Sequence, residues 1–153
     1  MKNTIILLTM LLFSGIGFAQ ESNNGKQLWA KSFLNEKAPE LTVETWISKK
    51  PDTEGKFVII DFWATWCGPC RKAIPELNEI AKEFSKDVVV IGISDEPVEK
   101  IKAMKEPVIE YYYGVDTKKT MDKILEIKGI PHVIIIDPKG IVRWEGFPLL
   151  ENH

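Results

Sequence analysis

Both cysteines of this 153-residue chain stand in one tetrapeptide, Cys67-Gly68-Pro69-Cys70. Two thiols three positions apart can trade a pair of electrons with another disulfide. One attacks and forms a mixed disulfide, and the other resolves it. Cys67 stands where an apolar run, Phe57 to Trp63, gives way to a helical pattern from Pro69 to Phe84. The unpaired N–H groups and dipole of a helix start favour negative charge, so Cys67 is expected to ionise more readily than free cysteine. Cys70, one turn further on, is the expected resolving thiol. Two other uses of the pair compete. A structural disulfide across so short a loop would contribute only roughly 2 kcal/mol. A zinc site needs four ligands, and beyond this pair only His132 and His153 offer a nitrogen. No metal is expected, and no cofactor beyond a redox-active Cys67–Cys70 disulfide.

The elements that must position this pair follow from periodicity. Phe57-Val-Ile-Ile-Asp-Phe-Trp63 is apolar on both faces apart from Asp61, as in a central strand covered on each side. Phe57, Ile59, Asp61 and Trp63 share one face of it, and Val58, Ile60 and Phe62 the other. Neither face looks wet, so the Asp61 carboxyl should be desolvated and its pKa raised above about 3.9. Ile74, Leu77, Ile80, Ala81 and Phe84 recur at helical spacing, and Pro75 predicts a kink among them. Leu41 to Ile47 alternates like a half-buried strand, and Lys49 to Lys56 reads as a turn. Val88 to Ser94 is a second buried strand, without charge. Glu96 to Lys105 reads as a short helix with a solvated face. Val108 to Val115 reads as a strand holding all three tyrosines, two on one face and one on the other, as packing groups. Thr117 to Lys128 is helical, Gly129-Ile130-Pro131 breaks it, and His132 to Asp137 is a strand. Asp137 to Gly140 turns the chain into a hairpin partner, Ile141 to Glu145. The architecture is α/β, in one domain without repeats.

Composition agrees. Hydrophobic residues make up 44% and charged residues 27% of the chain, which excludes a disordered tail, a collagen-like repeat or a polytopic membrane protein. A net charge of −2 recommends no nucleic-acid partner. Lys2 followed by the apolar stretch Ile5 to Ala19 reads as a secretory signal, cut before Gln20; it is short for a spanning helix, which needs about 20 residues. The alternative is an uncleaved membrane anchor over residues 5–19. Domain bounds are then 1–19 signal peptide, 20–35 polar lead-in and 36–153 folded domain, outside the cytoplasm.

Asp61-Phe-Trp-Ala-Thr-Trp-Cys-Gly-Pro-Cys70, with Pro75 and Gly129-Ile130-Pro131 behind it, resembles thioredoxin. The secretory start, the strand near the N-terminus and an insert at about Asp95 to Val115 resemble its extracytoplasmic TlpA- and ResA-like relatives. The likeness runs from about residue 36 to 147. It implies a thioredoxin fold, a central mixed sheet flanked by helices with an N-terminal strand extension and a central insert. It also implies Pro131 as a cis-proline facing the dithiol, although Pro131 alone also reads as an ordinary helix stop. Trp66, Gly68, Pro69, Ile130 and Pro131 become the substrate-binding residues. Asp61 becomes the proton relay of Cys70, with Ala73 where these relatives usually carry a glutamate. Thioredoxin pairs its buried acid with a lysine on the neighbouring strand, and Val88 to Ser94 offers none. The helix that normally closes the fold is expected to be missing.

The expected function is a secreted thiol–disulfide oxidoreductase that reduces protein disulfides, as the Gly-Pro between the cysteines implies by resemblance. Family likeness suggests a membrane thiol transporter as electron donor, apocytochrome c among the substrates, and a monomer. A net oxidase or isomerase, or a non-catalytic redox-regulated binding protein, are the alternatives. A peroxide-reducing relative would carry a Pro-x-x-x-Thr-x-x-Cys loop, which the residues before Cys67 do not form. His132 would stabilise a Cys67 thiolate if its ring turned toward the dithiol, and would not if it pointed away.

Overall fold

A computed structural model describes residues 28–148. The expected signal segment, the first part of the lead-in and residues 149–153 lie outside the described residues. Six strands form one sheet: β1 (Thr45–Trp46), β2 (Phe57–Phe62), β3 (Val88–Ser94), β4 (Tyr112–Val115), β5 (His132–Ile136) and β6 (Val142–Gly146). Their order across the sheet is β1-β4-β3-β2-β5-β6. β2, β3 and β4 run parallel, while β1, β5 and β6 each run antiparallel to their neighbours, so the sheet is mixed. The helices are α1 (Gly68–Glu83), α2 (Val98–Ala103) and α3 (Thr120–Leu125).

The alternation along β2 decides what each face meets. Ile59 and Trp63 pack with Val90 and Val133 beneath α1, whose Ala73, Ile74 and Leu77 are buried, and beside Ile101 of α2. Val58, Ile60 and Phe62 pack with Val89, Ile91, Ile134 and Ile136 against Met121 and Leu125 of α3. Each large aliphatic side chain fully buried in these two layers contributes about 1.5–3 kcal/mol. α1 runs through Pro75 as one continuous helix.

Several elements are shorter than the periodicity predicts, each for a local reason. β1 is confined to Thr45–Trp46 because β4 offers it only Val115 and Gly114 as ladder partners. β4 begins at Tyr112 because the preceding backbone is bound by a helix side chain instead of a strand. Asn78 of α1 donates to the Val108 carbonyl at 2.9 Å and accepts from the Glu110 N–H at 2.8 Å. Tyr111 therefore precedes the strand, although Tyr111 and Tyr113 still join the α1 layer while Tyr112 joins the other. α3 is bounded by left-handed residues at both ends, Lys119 (φ 57°) and Glu126 (φ 50°), and Asp116 accepts from the Met121 N–H at 2.7 Å. α2 starts only after Pro97.

The described part of the lead-in is bound to the domain. Lys31 N–H donates to the Leu125 carbonyl and Lys128 N–H to the Trp29 carbonyl. The buried Glu145 of β6 accepts from the Ser32 hydroxyl and, at 2.9 Å, from the Phe33 N–H. Phe33 and Ala38 then cover the α3 layer. Among the described residues no helix is long and apolar enough to cross a membrane.

Candidate active site

Cys67 is the N-cap of α1, with extended backbone, and Pro69 fits the first turn, where its missing N–H is no loss. The Cys67 sulfur accepts the N–H of Cys70 at 3.2 Å, and no acidic residue stands in that turn. Hydrogen bond and helix dipole together favour a negative sulfur at Cys67. The two cysteines form a disulfide with Cα atoms 5.3 Å apart. Cys67 keeps 3% of its surface exposed and Cys70 none. Gly68 and Pro69 are exposed between them.

Asp61 lies under the helix face of the sheet, between Gly92 of β3 and Val133 of β5. It is fully buried, and neither carboxyl oxygen has a hydrogen bond of ordinary length from a described group. Burial pushes its pKa up to about 7, with the Tyr111 phenol pulling weakly the other way. A buried carboxyl poised near neutrality can take up or release a proton at physiological pH. His132 packs with Phe62, ring centroids 6.1 Å apart, on the face opposite Asp61. Its register opposite Phe62 puts it on the sheet face that α3 covers.

The surface beside the dithiol is assembled from four separate segments. Trp66 is the most exposed aromatic side chain among the described residues, at 69%. It borders a cleft of about 210 Å³ that Trp63, Gly129 and Ile130 also line, along with the ion pair of Asp95 and Lys119. The Ile130–Pro131 peptide is cis. Pro131 itself is fully buried, so its ring presents nothing to a ligand in the oxidised protein, and Ile130 forms the wall.

Periodicity alone missed Glu96. It reads as part of a solvated helix, yet it is buried at the end of β3 and bound to the loop ahead of Cys67. Its carboxylate accepts from the Thr65 N–H at 2.5 Å and the Thr65 hydroxyl at 3.0 Å, and pairs with Lys100 at 2.6 Å. Burial pushes its pKa up, but the bonds from Lys100 and Thr65 outweigh this and hold it below the usual carboxylate range. An acid directly after an uncharged strand, in Ser94-Asp95-Glu96-Pro97, was the signal available.

Comparison with known proteins settles the lineage, because residues 34–145 match the model of the AhpC/TSA family. The chain belongs to that family. The chain is 29% identical to the thiol:disulfide interchange protein DsbE of Pseudomonas aeruginosa, over 94% of this chain and 83% of that one. It is 26% identical to the thiol-disulfide oxidoreductase ResA of Bacillus subtilis, over 69% and 62%. Among solved structures it superposes on a protein assigned as a disulfide isomerase in Bacteroides thetaiotaomicron. The TM-score is 0.72 at 30% identity, covering 81% of this chain and 84% of the other. The fold is therefore thioredoxin-like, and this member of the AhpC/TSA family is a thiol–disulfide oxidoreductase with a close cysteine pair.

Proposed function

We propose that the protein reduces disulfides in other proteins outside the cytoplasm, using Cys67 as nucleophile, Cys70 as resolving thiol and Asp61 as proton relay. The observation that carries this reading is the Cys67 sulfur at the N-cap of α1, accepting the Cys70 N–H with no acid nearby in the first turn. In the reduced protein the Cys67 thiolate attacks one sulfur of a substrate disulfide and displaces the other as a thiolate, which takes a proton from solvent. Cys70 then gives its proton to Asp61 and attacks the Cys67 sulfur, which frees the second substrate sulfur as a thiolate that takes up the proton held by Asp61. Two electrons pass to the substrate, and the Cys67–Cys70 disulfide remains. The dithiol is itself the redox group, so the reaction needs no cofactor. Substrate lies along Trp66 and Ile130, with Gly68 and Pro69 at its edge and Pro131 supporting the wall from beneath.

The secretory start supports an extracytoplasmic setting, with a membrane thiol transporter as electron donor. The likeness to DsbE and ResA supports apocytochrome c among the substrates. The reduction potential of the Cys67–Cys70 couple tests the direction. A value near thioredoxin's, about −270 mV, is expected, and one near about −120 mV would make the protein an oxidase instead. Reduction of insulin disulfides by the dithiol form is the matching activity, and its absence would leave a redox-regulated binding protein.

A further inference from the structure

A slot beside Asp61 holds a second buried polar side chain. Gly92, the ladder partner of Asp61, has no side chain, and its space is taken by two neighbours. A Cβ at Gly92 would stand 3.0 Å from Cε2 of Tyr111 and 3.1 Å from Nε1 of Trp63. Glycine inside a strand commonly marks such a close approach. Tyr111 is buried, and its hydroxyl, like both Asp61 oxygens, has no hydrogen bond of ordinary length to another described group. A tyrosine hydroxyl left in an apolar layer is costly, whereas phenylalanine would fill the same volume without that cost.

We propose that Tyr111 is the positioning residue of the proton relay, its phenol donating to the Asp61 carboxylate whenever that group ionises. The inference rests on Asp61 acting as the relay. In the oxidised protein the acid stays largely protonated below neutrality. When Asp61 carries charge, two buried donors without ordinary-length partners among the described residues line this slot, the Tyr111 phenol and the Trp63 indole N–H, and neither loses its proton near neutrality. Burial and then the Asp61 charge push the Tyr111 pKa well above 10. The phenol is also the one group that opposes the burial of Asp61.

Among the described residues, the neighbouring strands and α1 place no Lys, Arg, Asp or Glu side chain against Asp61. β3 carries no ionisable side chain from Val88 to Ser94, and β5 presents Val133. α1 presents the Cys67–Cys70 disulfide, while its Arg71, Lys72, Glu76 and Glu79 are exposed. His132 stands on the opposite face against Phe62. Lys56 and Glu110 share a surface cleft with Tyr111 but make no ion pair with Asp61.

The test is Tyr111→Phe, with the Asp61 carboxyl titrated by ¹³C NMR in the oxidised protein and insulin reduction followed against pH. Loss of the phenol should raise the Asp61 midpoint by about one pH unit. Gly92→Ala, which presses on both the Tyr111 ring and the Trp63 indole without removing the hydroxyl, should shift it the same way, and Tyr113→Phe on the same face should not. An unmoved midpoint in Tyr111→Phe overturns the proposal, as does an equal shift in Tyr113→Phe. If the midpoint rises and the pH profile of insulin reduction follows, both the pairing and the relay stand. If the midpoint rises while the profile stays fixed, Tyr111 still sets Asp61 but Asp61 is not the relay. Should Tyr111→Phe fail to fold, 3-fluorotyrosine placed at position 111, which keeps the ring and makes the phenol a stronger donor, should lower the Asp61 midpoint, and an unmoved midpoint overturns the proposal.

Discussion

At the scale of residues, the chemistry depends on an asymmetry between two cysteines three positions apart. Cys67 caps the helix and accepts a backbone N–H, while Cys70 lies inside the first turn without exposed surface. In the reduced protein a limiting dose of iodoacetamide should therefore modify Cys67 first, as peptide mass mapping would show. Cys70→Ser should hold protein substrates as mixed disulfides on non-reducing gels, and Cys67→Ser should hold none. Preferential modification of Cys70 would reverse the two roles. These residues were legible because their chemistry depends on sequence spacing and on a strand-to-helix junction. The burial of Asp61 was legible too, since alternation in Phe57 to Trp63 leaves no wet face. Tyr111 was not recognised, because its relation to Asp61 passes through the empty position at Gly92. A glycine within Val88 to Ser94 was the one trace of it.

At the scale of elements, the loop before Cys67 is held by a distant carboxylate. Glu96 ties down both the N–H and the hydroxyl of Thr65, two residues ahead of the nucleophile. Periodicity cannot reveal such a contact, because the partners lie 31 positions apart and on different elements. Glu96→Gln keeps the shape but weakens the charge-assisted bonds, and Glu96→Ala removes them and leaves the Thr65 N–H without its acceptor. Removing a charged hydrogen-bonding partner costs about 1.5–3 kcal/mol, so Glu96→Ala should lower the urea midpoint clearly and Glu96→Gln less. Because the loop carries Trp66, both should raise KM for insulin more than they lower kcat. A variant with unchanged midpoint and KM would show that Glu96 does not order the loop. Element lengths escape periodicity for the same kind of reason. Asn78 binds the backbone before Tyr112, and left-handed residues bound α3, and neither leaves a periodic mark. The lead-in also joins the domain: a chain beginning at residue 36 would lose the Ser32 and Phe33 donors to Glu145. It should unfold at a lower urea concentration than one beginning at residue 20, and equal midpoints would return 28–35 to a passive tail.

At the scale of the whole molecule, a single buried carboxyl couples stability to pH. Asp61 has a folded pKa of about 7 against an ordinary value of 3.8, so the native state binds its proton more tightly than the unfolded chain does. Stability from this group is fully present below about pH 4 and is lost progressively as pH rises toward and through 7; above that the loss is constant. Each pH unit between the two values corresponds to about 1.4 kcal/mol, so the whole loss is roughly 4 kcal/mol. That is a large share of the 5–15 kcal/mol that holds a typical domain together. The protein thus sacrifices stability to keep an ionisable group buried in the central strand of its sheet, which apolar packing alone would not require. Asp61→Asn removes the titration while keeping the shape. The oxidised variant should match the parent near pH 4 and exceed it increasingly up to about pH 7, in urea unfolding followed by tryptophan fluorescence. The same variant should reduce insulin more slowly at pH 7, because Cys70 then has no carboxylate to receive its proton. If the stability difference does not grow with pH, the carboxyl is not held at a raised pKa. If it grows while turnover is unchanged, the buried acid weakens the fold without serving the exchange.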